Sequence, residues 1–290
     1  MNGTCAFLTL SDLGDFVTDD ELAVEPFARR GWRVEFVPWR DPTVDWDRFD
    51  AVVVRSTWDY QSHSDDFERA LTAIDRSRAR LANNLATMRW NLNKRYLRDL
   101  ETRGVAIPPT LWLRGLAASN LPAMFQQLRT DEIVIKPVIG AGAVDTFRLT
   151  LPQAYDRGAE LERVFADREC MVQPFLPAVV EEGEFSLILF NGELSHTILK
   201  TPKPHDFRVQ EEYGSDIRPV VAGPALVAAS TAVMKSIEPV PLYARVDFVR
   251  HQGRFVLMEL ELVEPSLYLR MDGESPERFA AAFERWIERG

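Results

Sequence analysis

Tyr243-Ala-Arg-Val-Asp-Phe-Val249 and Phe255-Val-Leu-Met-Glu-Leu-Glu-Leu262 lie on either side of a short turn at His251-Gln-Gly253. Both stretches alternate in the two-residue period of a β-strand. Arg245 and Asp247 share one face of the first strand. Glu259 and Glu261 share one face of the second, opposite Met258, Leu260 and Leu262. With Arg250 opposite Arg254, the hairpin places Arg245 against Glu259 and Asp247 against Leu257, and all four charged groups fall on one face. A one-residue slip would break that arrangement. Three converging carboxylates repel unless cations neutralise them, and hard oxygen ligands suit Mg2+ held together with nucleotide phosphates. The competing reading is a solvated acidic face of an antiparallel sheet. The exit through Glu261-Leu-Val-Glu-Pro265 into a loop favours a site.

Working outward, Glu184 to Thr201 reads as two strands joined at Asn191-Gly192, a hairpin signal, and helices follow at about 224–236 and from Pro276 to Arg289. Val172-Gln173-Pro174-Phe175-Leu176 is an apolar strand whose proline frees backbone groups that could hold a purine edge, with Glu184 placed to accept from ribose hydroxyls. A linker followed by an exposed strand start is the alternative. Further upstream, Ile133-Val-Ile-Lys136-Pro137 runs into Gly140-Ala141-Gly142-Ala143. A strand-end lysine and a small-residue loop can cradle phosphates, though a plain turn with a solvated lysine fits the same letters. The spacing is neither that of a P-loop nor that of a dinucleotide-binding loop. Lys200-Thr-Pro-Lys203 and Asp206-Phe-Arg208 supply positive charge for a phosphoryl group or a carboxylate, or form a solvated basic loop.

The first third has a different rhythm. Ala6–Leu10, Arg33–Trp39 and the β-branched run ending at Arg55 alternate with helical segments, which predicts a parallel α/β sheet. Ligands in such sheets sit beyond the C-terminal strand ends. Ser11 and Asp12, and Arg55, Ser56, Thr57, Asp59 and Tyr60, fall there and are expected to face an acceptor substrate, Arg55 holding a carboxylate and Asp59 an ammonium. Capping by Asp59 and packing by Tyr60 are equally consistent. Leu85 to Leu100 reads as one helix. The organisation expected is an N-terminal α/β unit at 1–88, then an α+β clamp with lobes at 89–168 and 169–290 and antiparallel sheets.

Composition bounds the function. The 290 residues carry 34 Lys+Arg against 44 Asp+Glu, a net charge of −10, which disfavours nucleic acid and anionic membranes as partners. No stretch approaches the ~20 apolar residues of a membrane span, and the first ten residues lack a basic leader. Two cysteines, four histidines and no CxxC exclude a Cys-rich zinc site and are expected of a cytoplasmic protein. A homodimer is expected from frequency alone.

In their order along the chain these units resemble the ATP-grasp superfamily over roughly residues 90–270. The stretch from Val172 to Gly192 reads like bacterial glutathione synthetase. The whole chain, with Arg55-Ser-Thr-Trp-Asp-Tyr60 and Met258-Glu-Leu-Glu-Leu-Val-Glu-Pro-Ser266, is similar to the group containing the cycloserine-biosynthesis cyclo-ligase. The resemblance implies ATP and Mg2+ (two ions) as cofactors. It implies Lys94, in the helix, and Lys136 on the phosphates, with Gly140, Ala141 and Gly142 closing over them. It gives Gln173 to Leu176 as the adenine hinge and Glu184 as the ribose carboxylate. Asp247, Glu259 and Glu261 become metal ligands, with Arg245 steadying an acyl phosphate beside Arg208 or Lys200. Glu261 stands where the family usually has Asn. The activity implied is an ADP-forming carboxylate–amine ligase acting on a small amino-acid-like substrate, in amino acid or antibiotic biosynthesis. An intramolecular cyclo-ligase and a non-catalytic nucleotide binder are the alternatives.

Overall fold

The computed structural model describes residues 3–140 and 142–289. The first unit is a parallel sheet of β1 (Gly3–Thr9), β2 (Trp32–Pro38), β3 (Ala51–Ser56) and β4 (Arg80–Leu81), in the order β2-β1-β3-β4. All six side chains of β3 are buried, as a strand covered on both faces requires. The second unit is an antiparallel sheet of β5 (Leu111–Arg114), β6 (Glu132–Pro137), β7 (Phe147–Thr150) and β8 (Glu169–Pro174), in the order β5-β8-β6-β7. The third is an antiparallel sheet of β9 (Glu184–Phe190), β10 (Glu193–Thr201), β11 (Asp216–Val220), β12 (Tyr243–His251) and β13 (Arg254–Glu261), in the order β11-β10-β9-β12-β13. Strand β11 was not read from the sequence. Its Asp-Ile-Arg-Pro-Val pattern is mostly exposed, and its proline suits an edge strand. No helix among the described residues is long and apolar enough to cross a membrane.

Two helical readings change. The single helix expected over 85–100 is two, Leu85–Asn91 and Tyr96–Thr102. Between them the Asn93 side chain accepts from the Arg95 N–H at 3.0 Å, and the Lys94 N–H donates to Val138 O at 2.7 Å. That long-range tie takes the backbone out of the helix and leaves Lys94 in the turn. The last helix, Ser275–Glu288, packs on the N-terminal sheet: Phe279 and Phe283 join a core with Phe7 and Phe27, and the Phe27 and Phe283 ring centroids are 4.8 Å apart. Arg30 pairs with Glu277 and Glu284 along the same seam.

Strand β13 is an edge strand, and its unpaired backbone groups need partners. Asn91 takes the Leu262 N–H and donates to Leu260 O, and Tyr96 Oη accepts the Leu260 N–H. Asn83 donates to Tyr243 O and Leu262 O while accepting from Leu242 N. The strand carrying two of the carboxylates is thereby fixed to the helices beside it.

Candidate active site

The β12–β13 hairpin differs from its expected register. His251 faces Arg254 and Phe248 faces Leu257, then the pairing shifts so that Asp247 faces Glu259 and Arg245 faces Glu261. Met258 is the extra residue of a β-bulge. As a result two consecutive side chains, Met258 and Glu259, both line the same cavity. The bulge sets an apolar surface directly beside a carboxylate.

That cavity, of about 540 Å³, lies between the second and third sheets. On its floor, one oxygen each of Asp247, Glu259 and Glu261 lie within 4.8 Å of one another. Three cations interleave with them. Lys94 Nζ pairs with Glu259 and donates to Gly140 O at 3.0 Å. Lys200 Nζ lies 2.7 Å from Glu184 and 3.5 Å from Asp247. Arg245 holds Asp247 at 3.1 Å and also pairs with Glu261. Lys200 is no loop residue: it sits on β10 across from Glu184, 3% exposed. Its rigid position makes it a fixed charge.

The protonation pattern follows from these neighbours. Burial alone would raise Asp247 and Glu259. Arg245 and Lys200 outweigh it for the first, and Lys94 and Lys136 for the second, so both titrate below the ordinary carboxylate range. Burial would lower Lys200, but Asp247 and Glu184 hold it above its usual range. For Lys136 burial prevails and lowers the ammonium, with Lys94 adding repulsion. Glu261 is pushed up to about 8, by burial first and then by Glu259 and Asp247, against the pull of Arg245. A carboxyl held protonated by burial, with two carboxylates crowding it, is a place where a divalent cation can substitute for that proton. The all-oxygen donor set therefore fits Mg2+.

Above this floor the cavity is apolar. Phe175, Leu176, Val179 and Met258 line a slot beside Gln173, whose side-chain amide donates to Thr110 at 2.9 Å. Arg148 stacks 3.5 Å from the Phe175 ring centroid and stiffens that wall. Pro174, Glu184, Lys136, Gly140, Gly142 and Arg208 line the cavity as well, whereas Ala141 lies outside the described residues. Arg208 is clamped by Asp206 at 2.8 Å and lies over the Tyr213 ring at 3.8 Å.

The N-terminal residues expected at the acceptor end are not those that line the cavity. Arg55 is 1% exposed. Its Nε donates to Asp20 at 2.9 Å and its Nη2 to Pro265 O at 3.0 Å, so it seals one unit against another. Ser56 bonds Thr9 and Asp20, and Thr57 is fully buried. Asp59 accepts from the Trp39 indole at 2.8 Å. Asp12 closes a local turn onto the Gly14 N–H, and its neighbour Ser11 is exposed outside the cavity wall. Tyr60 packs on Phe67 and lies near Glu264, which does line the cavity. In their place stand Asp15, Gln61 and the Phe16–Trp58 pair, whose ring centroids are 5.3 Å apart. Glu264, Ser266 and Tyr268 complete that end. The Glu261-Leu-Val-Glu-Pro265 exit pointed to Glu264. An exposed aromatic inside Leu13-Gly-Asp-Phe16-Val carried no periodic signal.

Known proteins share both halves. The model of the prokaryotic glutathione synthetase ATP-grasp domain matches residues 106–230, and that of the N-terminal domain of D-cycloserine synthetase DcsG matches residues 5–83. The cycloserine biosynthesis protein DcsG of Streptomyces lavendulae is 34% identical over 267 residues, covering 87% of this chain and 88% of that protein. A crystal structure of D-cycloserine synthetase DcsG superposes with a TM-score of 0.87 at 29% identity, covering 98% of this chain and 100% of that one. D-alanine–D-alanine ligase from Bacillus anthracis shares the fold at a TM-score of 0.64 and 14% identity, with coverage of 99% and 97%. Carboxylates and cations interleaved under an apolar slot, on a chain alike in both of its halves, make this an ATP-dependent ligase: the chain belongs to the ATP-grasp family that includes the cycloserine biosynthesis protein DcsG.

Proposed function

We propose that the chain is an ADP-forming carboxylate–amine ligase for a small amino-acid-like substrate, working through an acyl phosphate. The observation that carries this is the floor of the cavity, where Asp247, Glu259 and Glu261 are interleaved with Lys94, Lys200 and Arg245. Such an array suits charge that moves during a reaction. Phe175, Leu176 and Met258 would hold the adenine ring, with Glu184 on the ribose. Lys94 and Lys136, with the backbone at Gly140 and Gly142, would take the phosphates. Magnesium, two ions, held by Asp247, Glu259 and Glu261 would supply neutralisation of the phosphate charge. A substrate carboxylate oxygen attacks the γ-phosphorus, and ADP leaves. Arg245, with Lys200 and Arg208, holds the acyl phosphate and shields it. A nitrogen nucleophile then attacks the carbonyl carbon, inorganic phosphate leaves, and the nitrogen gives up a proton. Positioning and electrostatics do the catalysis, so no dedicated general base is required.

A ring-closing version, in which one molecule supplies both carboxylate and nitrogen, is supported by the match of residues 5–83 to the N-terminal domain of a cycloserine synthetase, because that unit contributes Phe16, Trp58 and Gln61 to the acceptor end. Phosphate release is the assay, run with Mg·ATP and a panel of amino acids that carry an internal nitrogen nucleophile. Stoichiometric ADP and phosphate are expected, with a product lighter than its single substrate by one water. AMP and pyrophosphate would overturn the ligase chemistry, and a product joining two substrates would overturn ring closure. Glu259→Ala is expected to lower kcat by about 100-fold or more.

A further inference from the structure

Arg270 has no part in the reaction derived above, yet it holds two walls of the cleft. It lies just beyond Tyr268, a cavity-lining residue with left-handed backbone (φ 47°). Its Nη1 donates to both oxygens of Asp19, at 3.0 and 2.9 Å, and its Nη2 to both oxygens of Glu211, at 2.7 Å each. Asp19 ends the N-terminal loop that brings Asp15, Phe16 and Val17 to the cavity. Glu211 belongs to the connection between β10 and β11 and lines the cavity itself. Two residues on, Tyr213 Oη donates to Gly142 O at 2.8 Å, in the small-residue loop between β6 and β7. A path thus runs from Gly142 O to the Tyr213 side chain, along the short helix Glu211–Tyr213, and through the Glu211 and Arg270 side chains to Asp19, joining all three units around the cavity.

A single guanidinium satisfies two carboxylates from different units. Without it, Asp19 and Glu211 would lose the charge that bridges them, and their mutual repulsion would favour separation of the loops that bear them. We propose that Arg270 is a positioning residue that carries the setting of the phosphate-side segments, 142–146 and 202–215, to the acceptor loop at 11–19. Filling of the nucleotide side would then order the acceptor side. The inference rests on the nucleotide reading of the cavity given above.

Hydrogen exchange read by mass spectrometry on the full chain tests it, with and without Mg2+ and a non-hydrolysable ATP analogue. In the wild type the analogue is expected to slow exchange in 202–215 and also in 11–19. In Arg270→Gln it should slow 202–215 alone, and Arg270→Lys should restore part of the effect at 11–19. Slowing of 11–19 that is equal in Arg270→Gln and wild type overturns the proposal. So does a wild type in which 202–215 is protected and 11–19 is not. No protection anywhere in the wild type counts against the nucleotide reading instead, and the coupling is then decided without ligand. Asp19→Asn should raise exchange in 202–215 by about fivefold, a local opening that leaves the β12–β13 core unchanged. Unchanged exchange in 202–215 overturns the coupling. Should Arg270→Gln fail to fold, Asp19→Asn carries the same test.

Discussion

An arginine at the C-terminal end of a buried parallel strand can meet a ligand or close a seam, and Arg55 does the second. The letters around it allow both, because the decisive partners, Asp20 and the Pro265 carbonyl, are distant in sequence. Arg55→Ala is therefore expected to act on stability. Leaving Asp20 buried and unpaired costs about 3–5 kcal/mol, seen as a lower Tm with the ATP KM unchanged in the fraction that folds. A raised KM at unchanged Tm would return Arg55 to the substrate. Glu264 offers a second test at this scale. Burial lifts it to about 7 from the ordinary 4.5, with Tyr60 and Lys94 pulling downward and Glu259 adding to the rise. The native protein thus keeps a proton that the unfolded chain releases, so this contribution to stability is complete below 4.5 and is lost as pH rises to about 7. Between about pH 5 and pH 7.5 the wild-type Tm should fall further than that of Glu264→Gln, measured without magnesium. Parallel curves would show that Glu264 is ionised in the native state.

Among the elements, strand alternation made the acidic hairpin legible and left its register open. A turn centred on Gln252 and Gly253 fits several pairings, and the β-bulge at Met258 is a tertiary outcome that no periodicity encodes. The break at Lys94 is similar: residues 85–100 read helically throughout, and only the contact with Val138 interrupts them. Continuous runs were read well, as with β3, β6 and β9, because burial on a packed sheet leaves a compositional trace. Mostly exposed β11 left none. The edge of β13 supplies a prediction. Asn83→Ala strands three backbone groups that the side chain now satisfies, at a cost of about 3 kcal/mol by denaturant titration. Magnesium-dependent ATP turnover should fall with it, since β13 carries Glu259 and Glu261. A stability loss under about 0.5 kcal/mol would mean that water replaces the amide.

Across the whole molecule, the floor of the site was readable because charged residues stand out on apolar strands. The acceptor end was not, because it is assembled from Phe16, Trp58, Glu264 and Tyr268, which come from separate loops. The same long-range assembly governs the last helix. Phe279→Ala, which opens the aromatic cluster shared with Phe7, Phe27 and Phe190, should cost about 3–5 kcal/mol and lower the Tm of the protein as a single transition. Two separate transitions would show instead that the N-terminal sheet melts by itself. That packing also orders events during synthesis. Strand β1 leaves the ribosome more than roughly two hundred residues before the segment 275–288 that covers Phe7 and Phe27. While the residues between them are being translated, the N-terminal sheet keeps an uncovered aromatic face, and it relies on chaperones, or on speed, until that helix arrives.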